Sequence, residues 1–427
     1  MKLIHLKFSN KSLYVLTAVW KKFRYLQSEK FYSSLYASDY YGALTSFSLT
    51  KPSPSTMTTS SANRHQQNRL NHEDDAVSEC SVASTLLEGS LISTAPDRHG
   101  FLGGAQYSPE PRNHGPPPET VLKRERKWLK MLAQWNFYME KNYRKVKDRC
   151  RKGIPMSIRP KAWLYLCGGR VLMERHPHVY DECLRCDGNP KYIEDIKKDI
   201  HRQFPMHEMF SSEDKPGQQE LYNVLKAYTV HFPDIGYCQA QAPVAAFLLM
   251  HMPAVQAFWC LVSISNRYLE DYYSPTMEVV QRDGLILQGL LKKVCPPVYR
   301  HLKKVNAEPM FYCTEWFLCA FTRTLPWDTL LRIWDIFLCE GVKVLFKTSL
   351  VILIGCLGTA KSRKQCPGLC ETLDRLRNPP EDVLAEEHLI YNVTRLDISE
   401  QDFQEQHQKQ AKKVKMNSVK NTNGSSR

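Results

Sequence analysis

An uncharged run near the middle of the chain places the tightest limit on its fold. Residues 242–266 contain no Asp, Glu, Lys or Arg over 25 positions. A bilayer-spanning helix needs about 20 apolar residues in one unbroken piece, whereas Pro253 divides this run into two pieces of ordinary globular length. The run therefore predicts two buried helices joined by a tight turn, in a soluble protein.

The hydrophobic pattern on both sides of this run is helical. Apolar stretches alternate with proline or charged residues between 192 and 358, and the alternation of apolar and polar residues that is typical of strands is missing there. A repeat of about 20–50 residues, typical of a solenoid, is missing as well. These patterns predict an all-α fold. The expected helices cover 192–203, 217–231, 238–251, 254–265, 277–293, 296–305, 313–323, 326–339 and 343–358.

The flanking regions have a different composition. Residues 1–119 are expected to be of low order, because the Ser/Pro-rich linker that ends this region cannot bury enough surface to offset the entropy of ordering. The first fifty residues fit a secretory signal poorly, and a mitochondrial presequence stays open as an alternative. Further on, the sequence predicts a basic amphipathic lead-in helix over 120–152, a C-terminal helical extension over 376–402 and a disordered basic tail over 403–427.

The net charge of +14 suggests acidic partners. The excess is concentrated, since residues 120–152 hold 12 basic and 3 acidic residues. The basic and aromatic residues do not alternate as they do in a nucleic-acid module, so we expect no nucleic-acid partner. A solvent-exposed helix face is the simpler interpretation of this basic segment, and contact with anionic lipid is the alternative.

Cysteine spacing and glycine-rich motifs indicate no cofactor of the chain's own. The chain has 14 cysteines, most of them in apolar segments, where reduced thiols behave as small hydrophobes. Cys183 and Cys186 have the spacing of a zinc-ligand pair, but a second pair, Cys366 and Cys370, lies about 180 positions away without a nearby histidine pair. Phosphate-binding glycine loops are missing too. We therefore expect neither a metal nor a bound nucleotide.

Two short segments place polar side chains at the ends of predicted helices. Ile196, Asp199 and Arg202 fall at i, i+3 and i+6 along one side of a helix. Pro205 disfavours helix at the preceding residue, so Arg202 is expected in the last helical turn, with Asp199 orienting its stem. The second segment is Tyr-Cys-Gln at 237–239, which opens the uncharged run. By spacing alone, the first segment is an ordinary helix-end salt bridge and the second a cap or a polar core residue.

These two segments coincide with motifs of a known family. From about residue 128 to residue 392 the sequence resembles the TBC-domain GTPase-activating proteins for Rab-type small GTPases. Residues 196–205 match that family's IxxDxxR arginine motif, and 237–239 match its YxQ glutamine motif.

Further landmarks of the family lie on both sides of these motifs. They are Arg-Pro-x-x-Trp at 159–163 and Leu-Arg-Ile-Trp-Asp-x-Phe at 331–337. The local variants at 202–210 and 237–243 look most like the subgroup called TBC domain family member 10. The resemblance implies a two-lobed helical TBC (Rab-GAP) domain over 153–375.

The resemblance also implies roles for individual residues. Arg202 would be an arginine finger and Gln239 a glutamine finger, both supplied in trans to GTP hydrolysis by the partner. Asp199 and Tyr237 would support them. GTP and magnesium would belong to the partner, so the chain would be a catalytic activator without a substrate pocket of its own. By the same resemblance, the landmark residues Trp163, Trp334 and Asp335 would be structural.

The implied partner is a GTP-bound Rab-family small GTPase, and the implied process is membrane trafficking. The expected location is the cytoplasm, with peripheral contact to the plasma membrane or vesicles through lipid or a cortical adaptor. A non-catalytic scaffold that binds GTPases is the alternative. Two departures from the family pattern, Gln203 where threonine is usual and Ala240 where glycine is usual, leave the rate and the range of partners open.

Overall fold

The computed structural model describes residues 96–103 and 116–410, and these residues are helical apart from loops and one isolated β-bridge. The predicted all-α fold is confirmed. The helices are α1 Pro118–Ala133, α2 Trp135–Lys141, α3 Tyr143–Arg151, α4 Arg159–Cys167, α5 Gly169–Arg175, α6 Val179–Arg185, α7 Pro190–Ile200, α8 Pro216–His231, α9 Gln241–Leu249, α10 Ala254–Arg267, α11 Glu278–Val294, α12 Pro296–Lys304, α13 Met310–Leu318, α14 Trp327–Glu340, α15 Lys343–Leu357, α16 Ala360–Gln365, α17 Leu369–Arg377, α18 Glu381–Leu384, α19 Glu386–Arg395 and α20 at 400–410.

The uncharged run forms two helices, as predicted. Helix α9 ends shortly before Pro253, and α10 begins directly after it with this proline as its N-cap. Every residue of α9 is buried, which explains why the segment tolerates no charge. Among the described residues, no helix combines the length and the apolar character that crossing a membrane requires.

Most predicted helix bounds lie within three residues of the observed ones. The exception is the helix predicted over 313–323, which the structure places at Met310–Leu318. It ends early because Ala320 and Phe321 adopt φ values of 44° and 64°, in the left-handed region where a right-handed helix cannot continue.

The predicted single lead-in helix over 120–152 is wrong, because the structure has three helices there. Gln134 and Asn142 interrupt it with φ, ψ values of −119°, 36° and −136°, 33°. The breaks let each piece turn a separate apolar face toward the core. The buried residues of α1 to α3 are Trp128, Met131, Leu132, Tyr138, Met139, Val146 and Cys150.

The predicted disordered tail over 403–427 is wrong in its first part, and its residues 411–427 lie outside the described residues. Helix α20 begins after a reciprocal cap, in which Ser399 Oγ accepts from the amide of Asp402 and the Asp402 carboxylate accepts from the amide of Ser399. Phe403 is buried, and its ring lies 5.5 Å from that of Phe346 in α15. One aromatic anchor and one cap thus extend the ordered domain.

The predicted low-order region over 1–119 is likewise wrong for a short part near its end. Residues 96–103 are ordered, and Phe101 is fully buried. Residues 116 and 117 lead into α1, which begins at Pro118. The first fifty residues, including the presequence alternative, and most of the linker lie outside the described residues.

The helices pack in two lobes. In the first lobe, α8 lies at the centre, against α6, α7, α9 and α10. In the second lobe, α15 lies at the centre, against α11 to α14 and α16 to α19. Helix α14 joins the lobes, because it contacts α3 and α4 as well as α15 and α19.

A buried carboxylate and an aromatic cluster hold this junction. Asp335 of α14 is inaccessible to solvent and accepts from Trp163 Nε1 at 2.9 Å, from Arg159 Nε at 3.1 Å and from the amide of Ile154 at 2.8 Å. Trp334 is equally buried and lies 5.7 Å, ring to ring, from Trp163. The structural role predicted for the two tryptophans and the aspartate is confirmed.

Replacing this carboxylate should destabilise the fold severely. Asp335→Ala leaves the guanidinium of Arg159, itself 7% exposed, without its counter-ion. Breaking a buried ion pair in this way costs about 3–5 kcal/mol of the free energy of unfolding. Urea denaturation measures the loss, with Glu174→Ala as the control, because its pair with Arg170 is exposed and contributes at most about 1 kcal/mol. Equal losses in both variants would contradict the assignment.

Candidate functional site

The arginine of the first motif lies just beyond a helix end. Helix α7 stops at Ile200, so Arg202 lies in the turn after the helix. The prediction that it lies in the last helical turn is wrong. The backbone reverses at Phe204, whose φ is 44°, and Pro205 follows directly. This combination ends the helix two residues before the arginine and leaves its side chain 40% exposed.

A carboxylate one turn back holds the arginine. Asp199 Oδ1 accepts from Arg202 Nε at 2.8 Å and from Arg202 Nη2 at 2.5 Å. The second oxygen, Asp199 Oδ2, accepts from the Tyr237 hydroxyl at 2.7 Å. Asp199 is nearly buried, with 12% of its side chain exposed, so both of its oxygens are committed to these donors.

The tyrosine is kept in its protonated form. Burial raises the pKa of Tyr237, and the hydrogen bond to Asp199 together with that carboxylate's charge raises it further. Gly236, directly before it, has a φ of 67°, and a Cβ there would lie 2.2 Å from the Tyr192 ring. Glycine is therefore required for the chain to turn at this point and bring Tyr237 against α7.

The glutamine of the second motif meets the arginine. Gln239 is exposed in the turn that precedes α9. With the amide oriented to satisfy both partners, its oxygen accepts from Nη1 of Arg202 at 3.0 Å and also from Nη2. The free ends of the two side chains therefore lie together at one exposed place, although 36 residues separate them in the chain.

The two departures from the family pattern have local explanations. Gln203 is 2% exposed, and its side-chain amide donates to the carbonyl of Asp199 at 3.0 Å, so it caps α7 from within. Ala240 is the N-cap of α9 with φ −66° and ψ −14°, a conformation open to any residue. Neither position requires the residue that is usual in the family.

The structure thus brings together all four predicted site residues. Sequence reasoning missed residues 96–103, which pair with the backbone at 206–208, a few residues beyond Arg202. Asp-Arg-His-Gly-Phe at 97–101 has a weak signal for a turn, since aspartate and glycine favour one. Because the surrounding linker is rich in residues typical of disorder, this turn signal did not stand out.

The site can donate hydrogen bonds to another molecule. The Arg202 guanidinium and the Gln239 carboxamide can hydrogen-bond an anionic or polar group brought by another molecule. The carboxylate of Asp199 already accepts from two side chains and is not free to act as a base. Across 96–103 and 116–410, no group of three or more His, Cys, Asp or Glu side chains is placed to hold a metal ion.

Fold and site together define a class: a two-lobed helical protein in which an arginine and a glutamine lie side by side at an exposed point. The model of the Rab-GTPase-TBC domain family matches residues 156–357. A curated relative, TBC1 domain family member whacked from Drosophila melanogaster, is 56% identical over 75% of this chain and 88% of its own length. The chain belongs to the Rab-GTPase-TBC domain family.

Further relatives agree with the predicted subgroup. Mouse TBC1 domain family members 10B and 10A are 49% and 48% identical over 74% and 73% of this chain. The chain spans 40% and 62% of their respective lengths. The resemblance to TBC domain family member 10 is confirmed.

Solved structures agree on the fold. The flagellar RabGAP TBC domain of Chlamydomonas is 25% identical and aligns with a TM-score of 0.53 over 70% of this chain and 99% of that domain. The Ypt/Rab-GAP domain of Gyp1p aligns with a TM-score of 0.52 over 64% of this chain and 96% of that domain, at 19% identity. The two-lobed helical arrangement is thus shared with this family.

Proposed function

We propose that the chain is a GTPase-activating protein for one or more Rab-family small GTPases. In this proposal Arg202 and Gln239 enter the nucleotide site of the GTP-bound partner, and the partner supplies GTP and magnesium. The observation that carries the proposal is the contact between the exposed guanidinium and the exposed carboxamide above a nearly buried carboxylate. The activity in the names of the flagellar RabGAP and of the Gyp1p domain is consistent with it.

The arginine would stabilise charge on the transferred phosphoryl group. In related systems an arginine supplied in trans accelerates hydrolysis by about 10³–10⁵-fold. That gain corresponds to about 4–7 kcal/mol of barrier. Hydrogen bonds from Nε and Nη2 to one oxygen of Asp199 hold the guanidinium of Arg202, and Nη1 lies on the Gln239 side. Holding the group before the partner arrives reduces the ordering needed during the reaction.

The glutamine would orient the attacking water. In the free chain the amide oxygen of Gln239 accepts hydrogen bonds from the Arg202 guanidinium. These bonds have to break before the two groups can act on a partner. Because an amide both donates and accepts, it can hold a water by one atom and a backbone group of the partner by the other. Asp199 and Tyr237 act as positioning residues for the arginine.

A non-catalytic scaffold would use the same surface without accelerating hydrolysis. The placement of both free side-chain ends at one exposed point favours the activator, since a scaffold has no need of such a pair. By this proposal the chain switches off a step of membrane trafficking from the cytoplasm, at the periphery of the plasma membrane or of vesicles. The basic helix α1 is the surface of the chain suited to anionic lipid, and cortical adaptors are the other route to the membrane.

Single-turnover hydrolysis on a panel of GTP-loaded Rab proteins tests the proposal. The full chain should accelerate hydrolysis by at least one of them by about 10³-fold or more. Binding is measured in parallel with the same proteins loaded with a non-hydrolysable nucleotide. Binding without acceleration across the panel would favour the scaffold and refute the activator.

A further inference from the structure

A short segment ahead of the matched domain pairs with the loop that carries the proposed arginine finger. Residues 96–103 meet residues 206–208 in an antiparallel bridge. The loop leaves α7 after Ile200, carries Arg202, and reaches this bridge four to six residues beyond that arginine. The backbone hydrogen bonds of the bridge run from Leu102 N to Met206 O at 2.7 Å and from Glu208 N to Gly100 O at 2.8 Å.

One buried aromatic ring fixes this segment. Phe101 is fully buried, and its ring lies 4.8 Å from Trp327 and 4.9 Å from His207, edge to face in both cases. Trp327 also contacts Phe204, at 6.1 Å between ring centroids. Phe101 and Phe204 therefore share one partner, and removal of the first opens space beside the second, two residues beyond Arg202.

Charged groups add a second attachment. Arg98 Nη2 lies 2.6 Å and His99 Nε2 3.0 Å from the two oxygens of Asp328, in the first turn of α14. Burial by itself would raise the pKa of Asp328, but the His99 hydrogen bond and the charge of Arg98 outweigh it and lower the pKa. The carboxylate thus stays ionised. The segment is held by Asp328 at Arg98 and His99 and by the backbone bridge at Leu102.

A tight turn gives the segment its shape. Asp97 Oδ1 accepts from the amides of His99 and Phe101, at 2.8 and 3.0 Å. Gly100 has a φ of 90°, and a Cβ there would lie 2.7 Å from Nε2 of His207. Only glycine suits both the backbone and the close approach to the loop.

We propose that residues 97–102 form a strap that positions the arginine loop. The strap fixes the backbone at 206–208 and, through Trp327, the ring of Phe204, and so sets the direction in which Arg202 projects. It acts on the rate without contacting the partner's nucleotide. The inference rests on the proposed function, and it makes Phe101 and Gly100 positioning residues that lie outside the matched domain.

Substitutions in the full chain test the strap. Phe101→Ala should lower the maximal stimulated rate by about 10²-fold, the loss expected for a catalytic group displaced by about 1 Å. The chain concentration that gives half the maximal rate should stay the same, since the partner-binding surface is intact. Phe101→Leu should restore most of the rate. Gly100→Ala, which alters no core side chain, should act in the same direction as Phe101→Ala.

Controls separate positioning from loss of the fold. Leu302→Ala removes a fully buried side chain from α12, far along the chain in the second lobe, and at equal loss of thermal stability it should keep its rate. In an Arg202→Ala background, Phe101→Ala should change nothing further, because its effect passes through the arginine. A wild-type rate in Phe101→Ala and Gly100→Ala, an equal loss in Leu302→Ala, or a further loss in the double variant would each overturn the strap.

Hydrogen exchange in the free chain distinguishes failure of the strap from failure of the proposed function. Residues 201–208 should exchange faster in Gly100→Ala than in the wild type, while α12 stays protected. If no Rab responds to the wild type, the activator is refuted, and faster exchange at 201–208 still upholds the strap as the support of this loop. Unchanged exchange there refutes the strap whatever the activity.

Discussion

Arg202→Ala should reduce stimulated GTP hydrolysis by about 10³–10⁵-fold, which is the whole contribution of an arginine supplied in trans. The fold should be retained, because the side chain is 40% exposed and Asp199 keeps the hydrogen bond from the Tyr237 hydroxyl. Arg202→Lys should lose nearly as much. An ammonium keeps the charge but lacks the planar fork that contacts a carboxylate and a second acceptor together.

The measurement is single-turnover hydrolysis with the responsive Rab, beside thermal unfolding of each variant. Lys197→Ala is the matched control, since it removes one exposed positive charge from α7, the helix that precedes Arg202. Lys197 has no carboxylate partner among the described residues. A rate loss in Lys197→Ala as large as that in Arg202→Ala would indicate general electrostatic attraction instead of a finger. Full activity in Arg202→Ala would refute the proposed mechanism.

Local spacing predicts part of the site and not the rest. The pairing of Asp199 with Arg202 follows from their i, i+3 positions, which survive even though the helix ends at Ile200. The contacts of Tyr237 and Gln239 with this pair depend on how two helix ends meet in space. No periodicity encodes that meeting, and only the family resemblance placed the two motifs in one site.

The errors in the fold have a common physical cause. The helical pattern predicted most helices because each buries an apolar face of its own. A strap held by one phenylalanine, or a final helix held by Phe403, has no periodic signal, since a single anchor has no period. The cap at Ser399 and Asp402 was visible as Ser-x-x-Asp and could have signalled α20. The breaks in the lead-in helix fall at polar residues that fit a continuous helix equally well.

Gln239→Ala should lower the stimulated rate by about 10²–10³-fold, the loss typical of removing one positioned hydrogen-bonding group from a transition state. Binding of the GTP-loaded partner should change little, because the side chain is exposed and its contact in the free chain is with Arg202 of the same molecule. Gln239→Asn should lose activity too, since shortening by one methylene moves the amide by more than a catalytic geometry tolerates.

A substitution in the partner shows whether the glutamine acts on the water. In Ras-like systems the GTPase's own glutamine orients the attacking water. If Gln239 takes over that task, a Rab whose own glutamine is replaced by alanine should still respond to the wild-type chain and not to Gln239→Ala. Arg202→Ala should fail on both Rabs, because the charge on the phosphoryl group is unrelieved in either. If replacing the partner's glutamine alone abolishes the response, the partner's glutamine orients the attacking water. Gln239 would then only position Arg202.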